Sequence, residues 1–181
     1  MIRERMKAER KIASQDRSDA PIHAASNFFQ AVPINAQSCV ALYDPIGTEL
    51  HIEPLFDELV ERGIETCLPI VVKKKAPLVF RRYRNGQPLI DGAYGARTPE
   101  GSEPLVEPTI IIAPLLAFTK YGDRLGYGGG FYDRTLEQLR KKTKIIAVGY
   151  AYGVQQVDEL PVSRLDQRLD WVITERSAIR C

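Results

Sequence analysis

Residues 109–113 read Thr109-Ile110-Ile111-Ile112-Ala113. The run is β-branched and apolar with no polar alternation, which predicts a strand buried on both faces of a sheet. Working outward, the same kind of segment recurs. Upstream, Cys39-Val40-Ala41-Leu42-Tyr43 is an apolar run of strand length, closed by the turn residues Asp44-Pro45-Ile46-Gly47. Ile52, Leu55, Phe56, Leu59 and Val60 then recur at helical spacing, with Gly63 placed to end the helix. Thr66 to Val72 and Leu78 to Tyr83 predict two more strands. Downstream, a helix is expected from Phe131 to Lys142, then strands at Ile145 to Val148 and Trp171 to Thr174. Strands alternating with helices give an α/β fold with a mostly parallel sheet, and ligands of such sheets gather at the carboxyl ends of the strands.

The N-terminal part is helical in pattern. Ile2 to Ser14 carries five Arg or Lys among good helix formers and reads as an exposed basic helix. A second helix runs through His23, Phe28 and Phe29, with Ser18 or Asp19 to cap it and Pro21 in its first turn.

Composition bounds the function. At 181 residues the chain is one domain's length and can bury roughly two-thirds of its unfolded surface. Cys39, Cys67 and Cys181 are scattered and odd in number, which points to neither a disulfide framework nor a thiolate zinc site and suits a reducing cytoplasm. His23 and His51 have no partners at zinc spacing. A net charge of +2 is too small for a general nucleic-acid binder, and no apolar run is long enough to span a bilayer. Lys73-Lys74-Lys75, with Arg81, Arg82 and Arg84, reads either as a solvated strand edge or as a docking surface for an anionic tail.

The loop after the central strand is the most unusual part of the chain. Between Gly126 and Gly130 four of five residues are glycine, in the run Arg124-Leu125-Gly126-Tyr127-Gly128-Gly129-Gly130-Phe131-Tyr132-Asp133. Glycines let backbone N–H groups converge on an anion, and the following helix adds its positive dipole end. Gly129 is expected to have a positive φ and to border the phosphates. Arg124 and Lys120 are expected to supply mobile positive charge. No Gly-Lys-Ser/Thr follows, so this is not a P-loop, and a third dinucleotide-type glycine would fall on Phe131. Taken alone, the run also fits a flexible surface turn. By position alone Asp133 reads as a helix-dipole partner and Asp166, between Arg164 and Arg168, as half of a surface ion pair.

With its flanks, Pro114 through Arg134 resembles the signature of the 5-formyltetrahydrofolate cyclo-ligase family. The matching residues are Phe118, Arg124-Leu125-Gly126, Gly128, Gly130 and Phe131-Tyr132-Asp133. The similarity extends to Tyr43–Leu50, Leu68-Pro69, Tyr94-Gly95, Leu160-Pro161, Asp166, Leu169-Asp170 and Thr174-Glu175. Departures are Thr98-Pro99 where the family has Glu-Pro, and Leu165 where it has His.

The resemblance implies a three-layer α/β/α domain spanning 1–181, with N-terminal basic helices. It implies conversion of 5-formyltetrahydrofolate to 5,10-methenyltetrahydrofolate with ATP as co-substrate and Mg²⁺ as cofactor, without nucleic acid or membrane as partner. It places ATP at Arg3, Arg124, Leu125, Gly126, Tyr127, Gly128, Gly129, Gly130, Phe131 and Tyr132. Folate falls at Glu49, Tyr127, Gly128, Gly129, Gly130 and Phe131, the metal at Asp133 and Asp166, and catalytic roles at Arg124 and Tyr132. Two other readings share the loop: a relative acting on a different substrate, and a nucleotide-binding protein without turnover.

Overall fold

A computed structural model describes residues 2–84 and 86–181. In chain order the elements are α1 (Ile2–Asp16), α2 (Ala20–Ala31), β1 (Cys39–Ala41), α3 (Glu53–Glu61), β2 (Glu65–Ile70), β3 (Val79–Arg82), β4 (Leu89–Asp91), β5 (Arg97–Pro99), β6 (Leu105–Val106), β7 (Ile110–Pro114), β8 (Ala117–Phe118), β9 (Arg124–Leu125), α4 (Phe131–Arg140), β10 (Ile146–Tyr150), β11 (Trp171–Ile173) and β12 (Ala178–Arg180).

Eight strands form the main sheet in the order β12-β11-β10-β7-β1-β2-β3-β6. The five from β11 to β2 run parallel, and antiparallel strands finish both sides. Strand β7 lies between β1 and β10, with Ile110 opposite both Val40 and Ile146. Its alternation builds the layers. Ile110 and Ile112 face Phe28 of α2 and Leu55 and Leu59 of α3, whereas Ile111 and Ala113 face Leu136 and Leu139 of α4. None of Ile110 to Ala113 is more than 1% exposed. Each such isoleucine stabilises the fold by about 1.5–3 kcal/mol through burial. The result is a three-layer α/β/α arrangement.

Helix α3 ends as its sequence predicts. Gly63 takes φ +69, so the Gly63 and Ile64 N–H groups turn back to Val60 and Leu59 carbonyls. Asp19 stands at the N-cap of α2 but makes no side-chain cap bond; its carboxylate faces His23 instead, at 3.1 Å. The basic stretch is not a strand edge. Strand β3 is paired on both sides, Arg82 meets Glu65, Arg81 donates to the Pro99 carbonyl at 3.3 Å, and Lys73–Lys75 lie exposed in the β2–β3 turn.

The N-terminal helix departs most from expectation. It is not simply exposed: Met6, Arg10 and Ala13 are buried. Arg3, Met6, Arg10 and Ala13 are spaced 3, 4 and 3 residues apart, which sets them on one helical stripe. That stripe lies over the carboxyl edge of the parallel strands, where α1 packs against the Gly153–Gln155 turn after β10.

Candidate active site

Parallel strands send their following loops to one edge, and three of these loops build the site. After β1 comes the Tyr43–Leu50 loop. After β7, the β8–β9 hairpin leads into the glycine loop and α4. After β10, the Gly153–Gln155 turn is tied to the β7 exit by the buried Gln155, whose Nε2 donates to the Leu115 and Leu116 carbonyls at 2.8 and 3.1 Å.

Within the glycine loop only Gly128 (φ +97) and Gly130 (φ +64) have positive φ. Gly129 does not, which corrects the expectation for it. A Cβ there would instead come within 2.8 Å of the Phe131 ring. Gly130 is the N-cap of α4 in left-handed conformation, and a Cβ on it would meet the Arg134 guanidinium at 2.7 Å. Arg134 itself donates to the Gly129 carbonyl. Gly128, Gly129 and Gly130 thus stand where a side chain would collide or strain the backbone, whereas Gly126 does not. Tyr94 lies beside it, its ring 5.4 Å from that of Phe131.

Arg124 is not a mobile charge. Its side chain is 6% exposed, with Nη1 donating to the Gln167 carbonyl at 2.6 Å and Nη2 to Asp133 Oδ1 at 2.7 Å. The same Oδ1 accepts the Gln167 N–H at 2.9 Å. Asp133 therefore turns toward the 163–168 loop rather than to the N–H groups of its own helix. This brings Asp166, the chain neighbour of Gln167, to the same corner. Asp166 is exposed and bonds the Ser163 N–H at 2.8 Å, not either flanking arginine. Leu165 is 75% exposed, Lys120 lies over the Tyr121 ring, and the Thr98 hydroxyl is buried with no partner among the described residues.

Across the loop lies Glu49, only 3% exposed. Its Oε2 accepts the Ile46 N–H at 2.8 Å and its Oε1 accepts the Tyr127 hydroxyl at 2.8 Å. That hydroxyl in turn accepts Arg10 Nη1 at 2.6 Å, and Arg10 Nε donates to Thr48 Oγ1 at 3.1 Å. Burial raises the Glu49 carboxyl above its ordinary pKa, while the Ile46 N–H, the Tyr127 hydroxyl and Arg10 pull it back. Burial and Glu49 push the Tyr127 phenol up to about 12, so it remains a donor across the neutral range. Burial raises the Tyr132 phenol, with Glu49 adding to the rise and Arg124 opposing it.

The structure therefore gathers most of the expected residues. Arg3 Nε donates to the Gly126 carbonyl at 3.2 Å and its guanidinium borders Gly128. Leu125 is buried in β9, and Phe131 and Tyr132, the first residues of α4, pack against the core. Arg10, Thr48 and Arg134 were not foreseen. For Arg10 the available signal was its place on the stripe with Met6 and Ala13, which a search for apolar residues alone passes over. No group of three or more His, Cys, Asp or Glu able to hold a metal occurs among the described residues. Nor is any described helix long and apolar enough to cross a membrane.

Comparison with known proteins agrees with this geometry. The 5-formyltetrahydrofolate cyclo-ligase of Escherichia coli K12 is 33% identical to this chain over 179 residues, 96% of each protein. That of Haemophilus influenzae is 38% identical over 132 residues, 70% of each. The solved structure of Aquifex aeolicus 5,10-methenyltetrahydrofolate synthetase superposes with a TM-score of 0.75 at 29% identity, over 99% of this chain and 93% of that one. A 5,10-methenyltetrahydrofolate synthetase from Mycoplasma pneumoniae has the same fold, with a TM-score of 0.75 at 23% identity over 96% of each chain. A family model covers residues 1–175, and on that match the chain belongs to the 5-formyltetrahydrofolate cyclo-ligase family.

Proposed function

We propose that residues 1–181 act as one catalytic domain that closes 5-formyltetrahydrofolate to 5,10-methenyltetrahydrofolate, converting ATP to ADP and phosphate. One observation carries this reading: Tyr127 of the glycine loop donates to the buried Glu49, so a nucleotide-type cradle and a pterin-type acceptor lie in direct contact.

In this reading the phosphates lie on the backbone N–H groups of Gly126 to Gly130 and the start of α4, with Arg3 closing the cradle and Leu125, Phe131 and Tyr132 fixing its shape. Glu49 accepts hydrogen bonds from the pterin amino group and ring N–H, and Tyr127, Phe131 and Gly128–Gly130 form the shared wall. The formyl oxygen attacks the γ-phosphorus and ADP leaves. The 10-nitrogen then attacks the activated carbon and loses its proton, and phosphate departs with the former formyl oxygen. No protein nucleophile is required. The chain contributes positioning and charge stabilisation, as phosphoryl transfer generally demands.

Arg124 bears on the chemistry through Asp133, which it holds toward the loop that carries Asp166, and Tyr132 by packing at the start of α4 next to the glycine loop. Mg²⁺ fits Asp133 and Asp166. Both bonds to Asp133 fall on Oδ1, and this ion takes one or two carboxylates with waters and substrate phosphates rather than a full protein cage. When bound it would neutralise phosphate charge. The cytoplasm is the proposed location.

The test is direct. Purified protein mixed with 5-formyltetrahydrofolate and Mg-ATP should develop methenyltetrahydrofolate absorbance, with one ADP formed per folate converted. Folate conversion without nucleotide, or ATP hydrolysis indifferent to folate, would overturn the proposal.

A further inference from the structure

We propose that Arg10 is a positioning residue that couples the two substrate subsites: by holding the Tyr127 hydroxyl against Glu49, it makes folate binding depend on the conformation of the nucleotide loop. The inference rests on the assignment of those subsites above.

Arg10 is 5% exposed, so its charge and its donors must be met inside the protein. Its hydrogen-bond partners are Thr48 Oγ1 and the Tyr127 hydroxyl, one on each of two functional loops. The carboxylate that balances its charge, Glu49, is 3.9 Å away, with the Tyr127 oxygen bonded to both. A helix clamp would need only one loop; this guanidinium is satisfied only when both are in place. The Tyr127 backbone lies between Gly126 and Gly128, where reorientation costs little. Its ring is 50% exposed, so the hydroxyl bonds, rather than packing, fix its direction. Arg3, two turns earlier on the same stripe, holds the Gly126 carbonyl. Helix α1 thus holds both the backbone just before Tyr127 and the hydroxyl at the tip of its side chain. A nucleotide that orders the loop should therefore preset Glu49, and by linkage folate should tighten nucleotide binding equally.

The experiment measures 5-formyltetrahydrofolate affinity with and without a non-hydrolysable ATP analogue and Mg²⁺, for the unmodified protein, Arg10→Gln, Tyr127→Phe and the double variant. We expect the analogue to tighten folate binding about tenfold in the unmodified protein. In each single variant the factor should fall to within about twofold of unity, and the double variant should behave like the singles, as expected of residues in one chain of bonds. Arg10→Lys should not restore the coupling, because an ammonium cannot reach Thr48 and Tyr127 in the fork geometry. If Arg10→Gln is not folded, Tyr127→Phe, which loses one oxygen from a half-exposed ring, carries the test. Coupling that survives in Tyr127→Phe, or losses that simply add, overturn the role of Arg10 while the cyclo-ligase reading stands. An unmodified protein that binds no formylfolate under either condition overturns both.

Discussion

Two buried arginines flank the glycine loop, and they are held differently. Arg124 pairs directly with Asp133 at 2.7 Å and grips the Gln167 carbonyl at 2.6 Å. Arg10 stands 3.9 Å from Glu49, with a tyrosine hydroxyl bonded to each. The first partner is fixed by α4 and the second is borne by a glycine-flanked residue. One side of the loop is consequently a rigid anchor and the other a contact that can open. On the proposed function, the difference suits a site that keeps its phosphate-side geometry while admitting and releasing a folate.

The sharpest way to break the comparison is on the rigid side. Arg124→Met leaves Asp133 without its cation and Gln167 without its donor. Removing one partner of a buried pair costs about 3 kcal/mol or more, at the lower end here because Asp133 is 23% exposed. Melting temperature and turnover should fall together. Asp133→Asn keeps an acceptor at Oδ1 but removes the charge, so stability should fall less while the chemical step slows on the order of a hundredfold and needs more Mg²⁺. Calorimetry alongside a magnesium titration of turnover separates the two variants. An unaltered magnesium curve in Asp133→Asn, with only a lowered melting temperature, would make the whole corner structural.

On the openable side the expected effect is a shift in pH. In the proposed reading an ionised Glu49 accepts the pterin donors, and protonation removes one acceptor. Burial raises its pKa, so folate KM should begin to climb at a higher pH than an ordinary carboxylate would give. Arg10 lowers that pKa, so Arg10→Gln should move the acid limb to still higher pH. The charged or titratable neighbours are Arg10, Tyr127 and Asp44, with Tyr43 and Tyr132 beyond them. Tyr127, at about 12, does not titrate in this window. An acid limb unchanged by Arg10→Gln would show that another group sets it.

How much of this contrast was legible in the sequence depends on what each residue packs against. Strand β7 announces itself because both of its faces are buried, and a continuous apolar run has no other use in a chain this size. The glycine loop stood out because glycines clustered among aromatics are rare in solvent loops. The β8–β9 hairpin was not, because two-residue strands leave no period to read. Strand β12, at the sheet edge, exposes Arg180 and carries only a three-residue pattern. Arg10 and Arg124 were misplaced for one reason: pattern reading sends arginine to the surface, whereas these two are buried because specific oxygens meet their donors. That information is tertiary. Among the glycines, the residues that need positive φ could be told from their neighbours only by the backbone.

Those glycines give a smaller test. Gly126 has an ordinary φ and open space around it, whereas Gly128 sits at φ +97 with nothing closer than an Arg3 nitrogen at 3.9 Å. Alanine at 128 should therefore cost about 1–2 kcal/mol through backbone strain alone, and alanine at 126 should leave the melting temperature of the unliganded protein nearly unchanged. Equal destabilisation by both would mean that the loop is held by packing and not by its conformation.

The smallest expected effect concerns two buried tyrosines, of which one braces the turn that carries Glu49. Tyr43 and Tyr150 are 3% and 1% exposed, and both end in the core between the sheet and helices α2 and α3. Tyr43 donates its hydroxyl to the Leu50 carbonyl at 2.5 Å, which helps fix the turn that carries Glu49. The Tyr150 hydroxyl has no partner among the described residues. Desolvating a hydroxyl without a bond is unfavourable, whereas deleting a bonded one strands its acceptor. Tyr150→Phe should thus be neutral or stabilise by up to about 1 kcal/mol, and Tyr43→Phe should destabilise by about the same amount. In a domain of this size each kcal/mol moves the melting temperature by about 2–4 °C, so opposite signs are resolvable. Folate KM adds the second readout. It should rise in Tyr43→Phe, because Leu50 follows Glu49 directly, and stay level in Tyr150→Phe. A loss of stability in Tyr150→Phe would mean that its hydroxyl holds an ordered water. A raised KM there would place it against the folate.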